Sequence, residues 1–413
     1  MKKINKIVSI IISFTIVFTT AFFMAPKTSA VSENTTDYST DDNLKDEYEN
    51  QVNDFLGELI PGEDFVENEI LIKYKSDVET QSLESISEEC DFDIECNLDL
   101  EEEFNTFSVN SSSNDMEDGL YLASIDENDA VLDVIQELST YDSIEYAQPN
   151  YIYKTCEITN QFNVINESEP KGFQCQQAMF NSLNLGNTNY TGNGVVVAVI
   201  DTGIDLSHPA LAGCFWSDNG VVGYNTANKD NVTEITMSQD AIYTNDHGTH
   251  VAGIIAMQEK ENFTCKGIAP NVKIMDLQAS HSGGSFKSSS IIKALELAEE
   301  HGADIVNMSL GGKEYDNALN LACNRAARKM ILVAASGNDS YDREAIFPAA
   351  FSSVIGVVAY GGSPYASEYD NNNIISDNLS LLNANYPSSG FMTIAKFSNY
   401  DSKSKYFDTV APG

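Results

Sequence analysis

From Gly194 onward the chain alternates short, continuous apolar runs with stretches of helical spacing. VVVAVI (195–200), VKIMDLQ (272–278), DIVNMSL (304–310), MILVAAS (330–336) and SVIGVVAY (353–360) have the character of strands buried on both faces. Between them, HGTHVAGIIAMQE (247–259), SSSIIKALELAEEHG (288–302) and DNALNLACNRAARKM (316–330) read as helices; the second opens on serines and stops at Gly302. The alternation predicts an α/β class domain: three layers, α/β/α, around a mainly parallel sheet whose working residues sit at the carboxyl ends of strands.

Upstream the pattern is different. ILIKYK (70–75) alternates as a strand, LYLASI (120–125) is a second candidate, and DAVLDVIQELSTY (129–141) is helical. IEYAQPNYIY (144–153) reads as extended chain around Pro149. We expect a small α+β module over residues 66–155, after a polar, acidic lead-in at 31–65 and before a linker at 156–172; the α/β domain then occupies 173–413. Residues 1–30 read as a signal peptide, with Lys2, Lys3 and Lys6 ahead of the apolar run Ile7–Met24 and the small residues Thr28-Ser29-Ala30 at its end. No later segment is apolar enough to span a membrane, so a secreted, extracellular protein is expected.

Charge sharpens that division. The chain holds 23 basic and 62 acidic residues, net −39. Residues 31–155 carry 35 acidic side chains and 4 lysines, net −31, whereas residues 156–413 carry net −12. A chain this acidic is repelled by nucleic acid, which removes phosphate-backbone binding from consideration. Seven scattered cysteines, Cys90, Cys96, Cys156, Cys175, Cys214, Cys265 and Cys323, show no metal-binding spacing and no disulfide framework. Cys323, within a helical stretch, reads as a buried small hydrophobe.

Two elements carry chemistry. Asp201 directly follows VVVAVI and precedes Thr202-Gly203, a carboxylate at a strand end where a ribose, a metal or a capping amide are all conceivable partners. GNG (192–194) precedes that strand instead of following it, so a dinucleotide fingerprint fails on position. DHGTHVAG (246–253) puts His247 at a helix start; H-x-x-H without an intervening Glu is not a zinc-protease pattern, and His250 reads as a packed or hydrogen-bonded structural imidazole.

These residues resemble a family. VVVAVIDTGIDLSHPAL is similar to the aspartate motif of the subtilisin-like serine proteases (subtilases), and DHGTHVAGIIA to their histidine motif. NMSLGG (307–312), VAASGND (333–339), FPAAFSSVIGVVA and KFSNYDSKSKYFDTVAPG follow in family order, over about residues 175–413. The acidic module ending in IEYAQPNYIY resembles an inhibitory propeptide. The resemblance implies His247 as general base, Asp201 as the group that fixes its tautomer, and Asn338 as donor to the oxyanion. It also implies that Ser309, Leu310 and Gly311, with the stretch around Gly283, pair with an extended substrate backbone. The implied partners are peptide or protein substrates and the chain's own propeptide, as inhibitor and folding chaperone, with maturation between about Tyr153 and Phe173.

Three departures qualify this. The family's serine lies in a Gly-Thr-Ser motif after an Ala-Pro-Gly segment, and this sequence stops at Ala411-Pro412-Gly413 with no such motif upstream. The expectation is a fragment of a longer gene product, inactive as written; the alternative is a serine-less pseudoprotease that binds peptides. His208-Pro209 is followed by Ala210 where many relatives carry a calcium-binding Asp, so no cofactor is required by the residues present and calcium is unsupported. Finally, WSDNGVVGYNTANKDNVTE (216–234) is an insertion expected to form a surface loop at the cleft rim.

Overall fold

The computed structural model describes residues 59–75, 82–98, 119–126, 130–156, 191–227, 232–237, 246–259, 266–340, 345–362, 392–394, 398–399 and 407–412. The stretch expected to be a signal peptide (1–30), residues 157–172 of the expected linker, Cys175 and Cys265 lie outside the described residues.

The first module runs β1 (Phe65–Tyr74), α1 (Leu83–Cys90), β2 (Phe92–Asn97), β3 (Gly119–Ile125), α2 (Val131–Leu138) and β4 (Ile144–Thr155). Its strands lie antiparallel in the order β2-β3-β1-β4. Helix α1 buries Leu83, Ile86 and Cys90, begins where Ser82 Oγ accepts from the Ser85 N–H, and ends at Asp91 in the left-handed region (φ 54°). Neither α1 nor β2 is prominent in the sequence, because in the helix three glutamates stand against only three inward-facing residues.

In the second part, β5 (Val196–Asp201) is followed by β6 (Val221–Asn225), β7 (Thr233–Thr236), α3 (His247–Ala256), β8 (Lys273–Gln278), β9 (Ser280–Ser282), β10 (Ser285–Lys287) and α4 (Ser288–Glu300). Then come β11 (Ile305–Met308), β12 (Leu310–Gly311), α5 (Asn317–Ala326), β13 (Ile331–Ala335), β14 (Val354–Gly362), β15 (Met392–Ile394) and β16 (Thr409–Pro412). The main sheet has the order β15-β14-β13-β11-β5-β8-β6-β7, with β16 beside β14. Pairs among β6, β8, β5, β11, β13, β14 and β16 are parallel; β7 and β15 are antiparallel edges. Strand periodicity explains the layers. Val197 and Val199 of β5 join a core with Ala252 and Ile255 of α3, while Ala198 and Ile200 join the opposite core with Ile291 and Leu295 of α4 and Leu319 of α5. The domain is therefore a three-layer α/β/α sandwich of mainly parallel strands.

Two expectations are corrected. The 216–234 segment is not merely a surface loop: it supplies β6, which extends the main sheet alongside β8 and buries Val221, Val222 and Tyr224. His250 is exposed on α3 and is not packed. Cys323 is fully buried, and Cys90, Cys96, Cys156 and Cys214 are, like it, present as thiols.

The two modules share a sheet. Strand β4 pairs antiparallel with β10 on one side (Lys154 opposite Ser285, Tyr153 opposite Phe286) and with β12 on the other (Thr155 opposite Leu310, Lys154 opposite Gly311). Its side chains also finish two helices of the second module. The first turn of a helix leaves backbone N–H groups without intrahelical partners. Asn150 Oδ1 accepts from the Ser289 N–H of α4 (3.1 Å), and Gln148 Oε1 accepts from the Ala318 N–H of α5 (3.1 Å). Around these contacts, Asn150 Nδ2 donates to buried Glu69 (2.8 Å), which is ion-paired with Lys287 (2.9 Å). Asp316, fully buried, accepts from Gln148 Nε2 (2.8 Å), the Leu319 N–H (2.8 Å), Tyr153 Oη (3.2 Å) and Ser288 Oγ. Burial still holds the Asp316 carboxyl above the ordinary carboxylate range, against the opposing pull of those donors.

Candidate active site

The carboxyl end of β5 delivers Asp201 into the cleft, 1% exposed. Its Oδ1 accepts from its neighbour's backbone, the Thr202 N–H (2.7 Å), and from His247 Nδ1 (2.8 Å). With an acidic Oδ1 as partner, Nδ1 carries the proton and Nε2 is left as the basic nitrogen. The start of α3 is fixed by the same loop. Asp246 makes no side-chain cap; instead Thr202 Oγ1 accepts from the Gly248 N–H (3.0 Å), and Thr249 Oγ1 accepts from the Asp205 N–H (2.9 Å). Gly248 is required by space, since a methyl group there would overlap the Gly203 carbonyl oxygen and sit 3.3 Å from Asp201 Cβ.

Behind Asp201 lies a second carboxyl group that the sequence does not single out. Asp276, 1% exposed on β8, accepts from the Ile204 N–H (3.3 Å) and so holds the loop that follows Asp201. Burial pushes its pKa up to about 8, with the Asp201 carboxylate adding in the same direction and the Ile204 N–H opposing. Asp276 is thus a neutral acid across most of the acidic range.

Asn338 stands on the loop after β13. Its Nδ2 donates to the carbonyl oxygen of Cys156 (2.6 Å). The loop is held from a distance by Asn399: its N–H donates to the Gly337 oxygen (2.9 Å), its Oδ1 accepts from the Asp339 N–H (2.9 Å), and its carbonyl accepts from Ser336 Oγ (2.9 Å). Asn399 lies in the KFSNYD stretch, but nothing in the spacing announces this role.

The cleft walls are the edges that β4 fills. Cys156 N–H donates to the Ser309 oxygen (3.1 Å), and Thr155 N–H to the Gly284 oxygen (2.8 Å). Leu310 and Gly311 pair with Thr155 and Lys154 as β12. Gly283 is in the β9–β10 turn at φ 53°, and the wall contact beside it is made by Gly284. An extended peptide therefore lies antiparallel between two edges, with the carbonyl of its last described residue on an amide donor. Such an arrangement holds a main chain through backbone hydrogen bonds and polarises one particular carbonyl. Among the described residues, no three His, Cys, Asp or Glu side chains gather as a metal site would require.

Comparison with known proteins gives the family. Residues 192–413 match the family model described as the subtilase family, peptidase S8. The thermophilic serine proteinase of Bacillus sp. (strain AK1) is 30% identical over 284 residues, covering 68% of this chain and 57% of that protein. The minor extracellular protease Epr of Bacillus subtilis (strain 168) is 27% identical over 312 residues, covering 74% of this chain and 41% of that protein. The crystal structure of fervidolysin from Fervidobacterium pennivorans, described as a keratinolytic enzyme related to subtilisin, superimposes with a TM-score of 0.53 at 22% identity, over 74% of this chain and 45% of that one. The chain thus spans about half the length of these relatives, and the family match extends over more than half of it. It belongs to the subtilase family of serine peptidases.

Proposed function

We propose that this chain is the precursor of a secreted serine endopeptidase, with residues 66–155 as propeptide, residues 173–413 as catalytic domain, and Cys156–Glu157 as the maturation bond. The observation that carries this reading is the Asn338 amide on the Cys156 carbonyl, at the end of a strand paired on both sides. Extracellular relatives such as Epr support secretion.

In this reading a serine hydroxyl is the nucleophile. His247 Nε2 takes its proton as Oγ bonds to the Cys156 carbonyl carbon, and the electron pair of the C=O moves to oxygen. Asn338 Nδ2 then holds the oxyanion, while Asp201 stabilises the imidazolium through Nδ1–H. Collapse of the intermediate breaks the C–N bond, and His247 gives the proton to the nitrogen of Glu157. Water, deprotonated by the same imidazole, releases Cys156 as a free carboxylate. Peptide and protein substrates would afterwards take the place of β4 along the same two edges.

The family's Gly-Thr-Ser motif does not occur in residues 1–413, so the test uses the full-length gene product. Expression should yield a processed enzyme whose new N-terminus, by mass spectrometry, is Glu157. His247→Ala and Asp201→Ala should each leave the precursor intact. Continued processing of the His247 variant would refute the reading, and tight peptide binding with no cleavage would favour the pseudoprotease.

A further inference from the structure

The cleft holds the partly buried Cys156 by its side chain as well as its backbone, and what borders that side chain limits what can replace it. Cys156 N–H is held by Ser309 on one side and its carbonyl by Asn338 on the other, so the direction of the side chain is fixed. It lies over Gly311: a methyl group on that glycine would sit 3.8 Å from Cys156 Sγ. On the far side the Gly337 backbone N–H approaches the thiol. The thiol's pKa is pushed up to about 12, chiefly by burial and then by the Asp339 and Asp201 carboxylates, so it fills this space as a neutral group.

Both glycines border one bulky side chain. The methyl group on Gly311 would come 2.6 Å from Ile346 Cγ2, and one on Gly337 would come 3.6 Å from Ile346 Cγ1. Ile346 thus reaches from Gly311 to Gly337, the two glycines that border the thiol, and is only 3% exposed. It has little freedom to withdraw. Its neighbour Phe347 is pinned to Gly312 by a reciprocal pair of backbone hydrogen bonds, 2.8 and 2.9 Å, and a β-branched side chain has few rotamers to choose from.

We infer that Ile346 closes the floor of the pocket for the residue preceding the cleaved bond, making the enzyme selective for small, uncharged side chains there: alanine, serine, cysteine, and threonine or valine at the limit. Leucine, phenylalanine and lysine are excluded because the space they need is occupied by a branched side chain that cannot swing aside. Cys156, the residue before the proposed maturation bond, satisfies this rule. The inference rests on the proteolytic reading above and specifies its substrate class.

The experiment follows maturation in the full-length protein with Cys156 replaced. Cys156→Ala should process at close to the native rate, and Cys156→Phe should slow by about 100-fold or more, the scale on which a filled pocket discriminates. Ile346→Gly, or the milder Ile346→Ala if the glycine variant loses its native melting transition, should restore processing of Cys156→Phe. The matured enzyme should show the same order on Tyr-Lys-Thr-Xaa peptide amides with Xaa as alanine, cysteine, phenylalanine or lysine. If the parent matures but Cys156→Phe matures equally fast, or the Ile346 variants leave the preference unchanged, the floor assignment is overturned while the proteolytic reading stands. If the parent itself never matures, the proteolytic reading fails and takes this inference with it.

Discussion

Asn338 Nδ2 donates to the backbone carbonyl of Cys156 at 2.6 Å, a contact between residues 182 positions apart that ties the loop after β13 to the residue that follows β4. In the proposed reaction this donor strengthens its bond as charge develops on the oxygen. Asn338→Ala should therefore lower the maturation rate by about 100- to 1000-fold, the range established for the equivalent donor in subtilisin, itself a member of this family, and carried over to this chain. Single-turnover processing of the full-length protein measures it. Loss of docking without loss of rate would point to a purely structural amide.

The Asp201–His247 pair depends on a residue that does no chemistry. Because a methyl group at Gly248 would overlap the Gly203 carbonyl oxygen and crowd Asp201 Cβ, Gly248→Ala should push the first turn of α3 away from the carboxylate. Maturation should slow by about 100-fold or more, with the melting temperature much less affected than the rate. Gly253, also in α3, has nothing within 4 Å of the corresponding position, so Gly253→Ala serves as the control and should process normally.

How far such features can be read in advance depends on whether they are local. β5 is legible because an unbroken apolar run suits a strand with a core on each face, and Asp201 because it ends that run. The cap on α4 is not, since it comes from Asn150 of another module, 139 residues earlier. Asp276 sits within the run VKIMDLQ, where pattern alone marks it as a polar interruption; only the parallel register of β5 and β8 brings it behind Asp201. Ile346 looks like any apolar residue before a proline-containing stretch. Its significance comes from Gly311, which leaves the space it enters, and from Gly337, which it reaches on the other side. Strand β6 escapes a reading of the sequence for the same reason: VVGYN is too short to announce itself without β8 alongside.

Docking of β4 should respond to single deletions in its buried contacts. Gln148→Ala removes a donor from Asp316 and an acceptor from the Ala318 N–H at once. Leaving a buried polar group unpartnered costs about 1–3 kcal/mol, so urea denaturation of the unprocessed chain should show a loss of that size. Glu145→Ala on the same strand, whose ion pair with Lys75 is solvent-exposed at 3.7 Å, should change stability by less than about 0.5 kcal/mol.

The carboxyl group of Asp276 makes stability depend on pH in a direction opposite to that of an ordinary ion-paired acid. In the folded chain it titrates near pH 8, against 3.8 for the unperturbed group. Between those values the folded state holds a proton that the unfolded state has released, so unfolding becomes easier as pH rises, by up to about 1.4 kcal/mol per unit. The contribution is complete below about pH 4, declines through the window from 4 to 8, and is flat above it. Asp276→Asn, neutral throughout, removes this slope and keeps an amide able to accept from the Ile204 N–H. Urea midpoints of parent and variant should therefore diverge steadily from pH 4.5 to 8, with the variant gaining relative stability at the alkaline end. Parallel curves across that window would mean that Asp276 is ionised in the folded chain, with the carboxylates of Asp201 and Asp276 charged side by side.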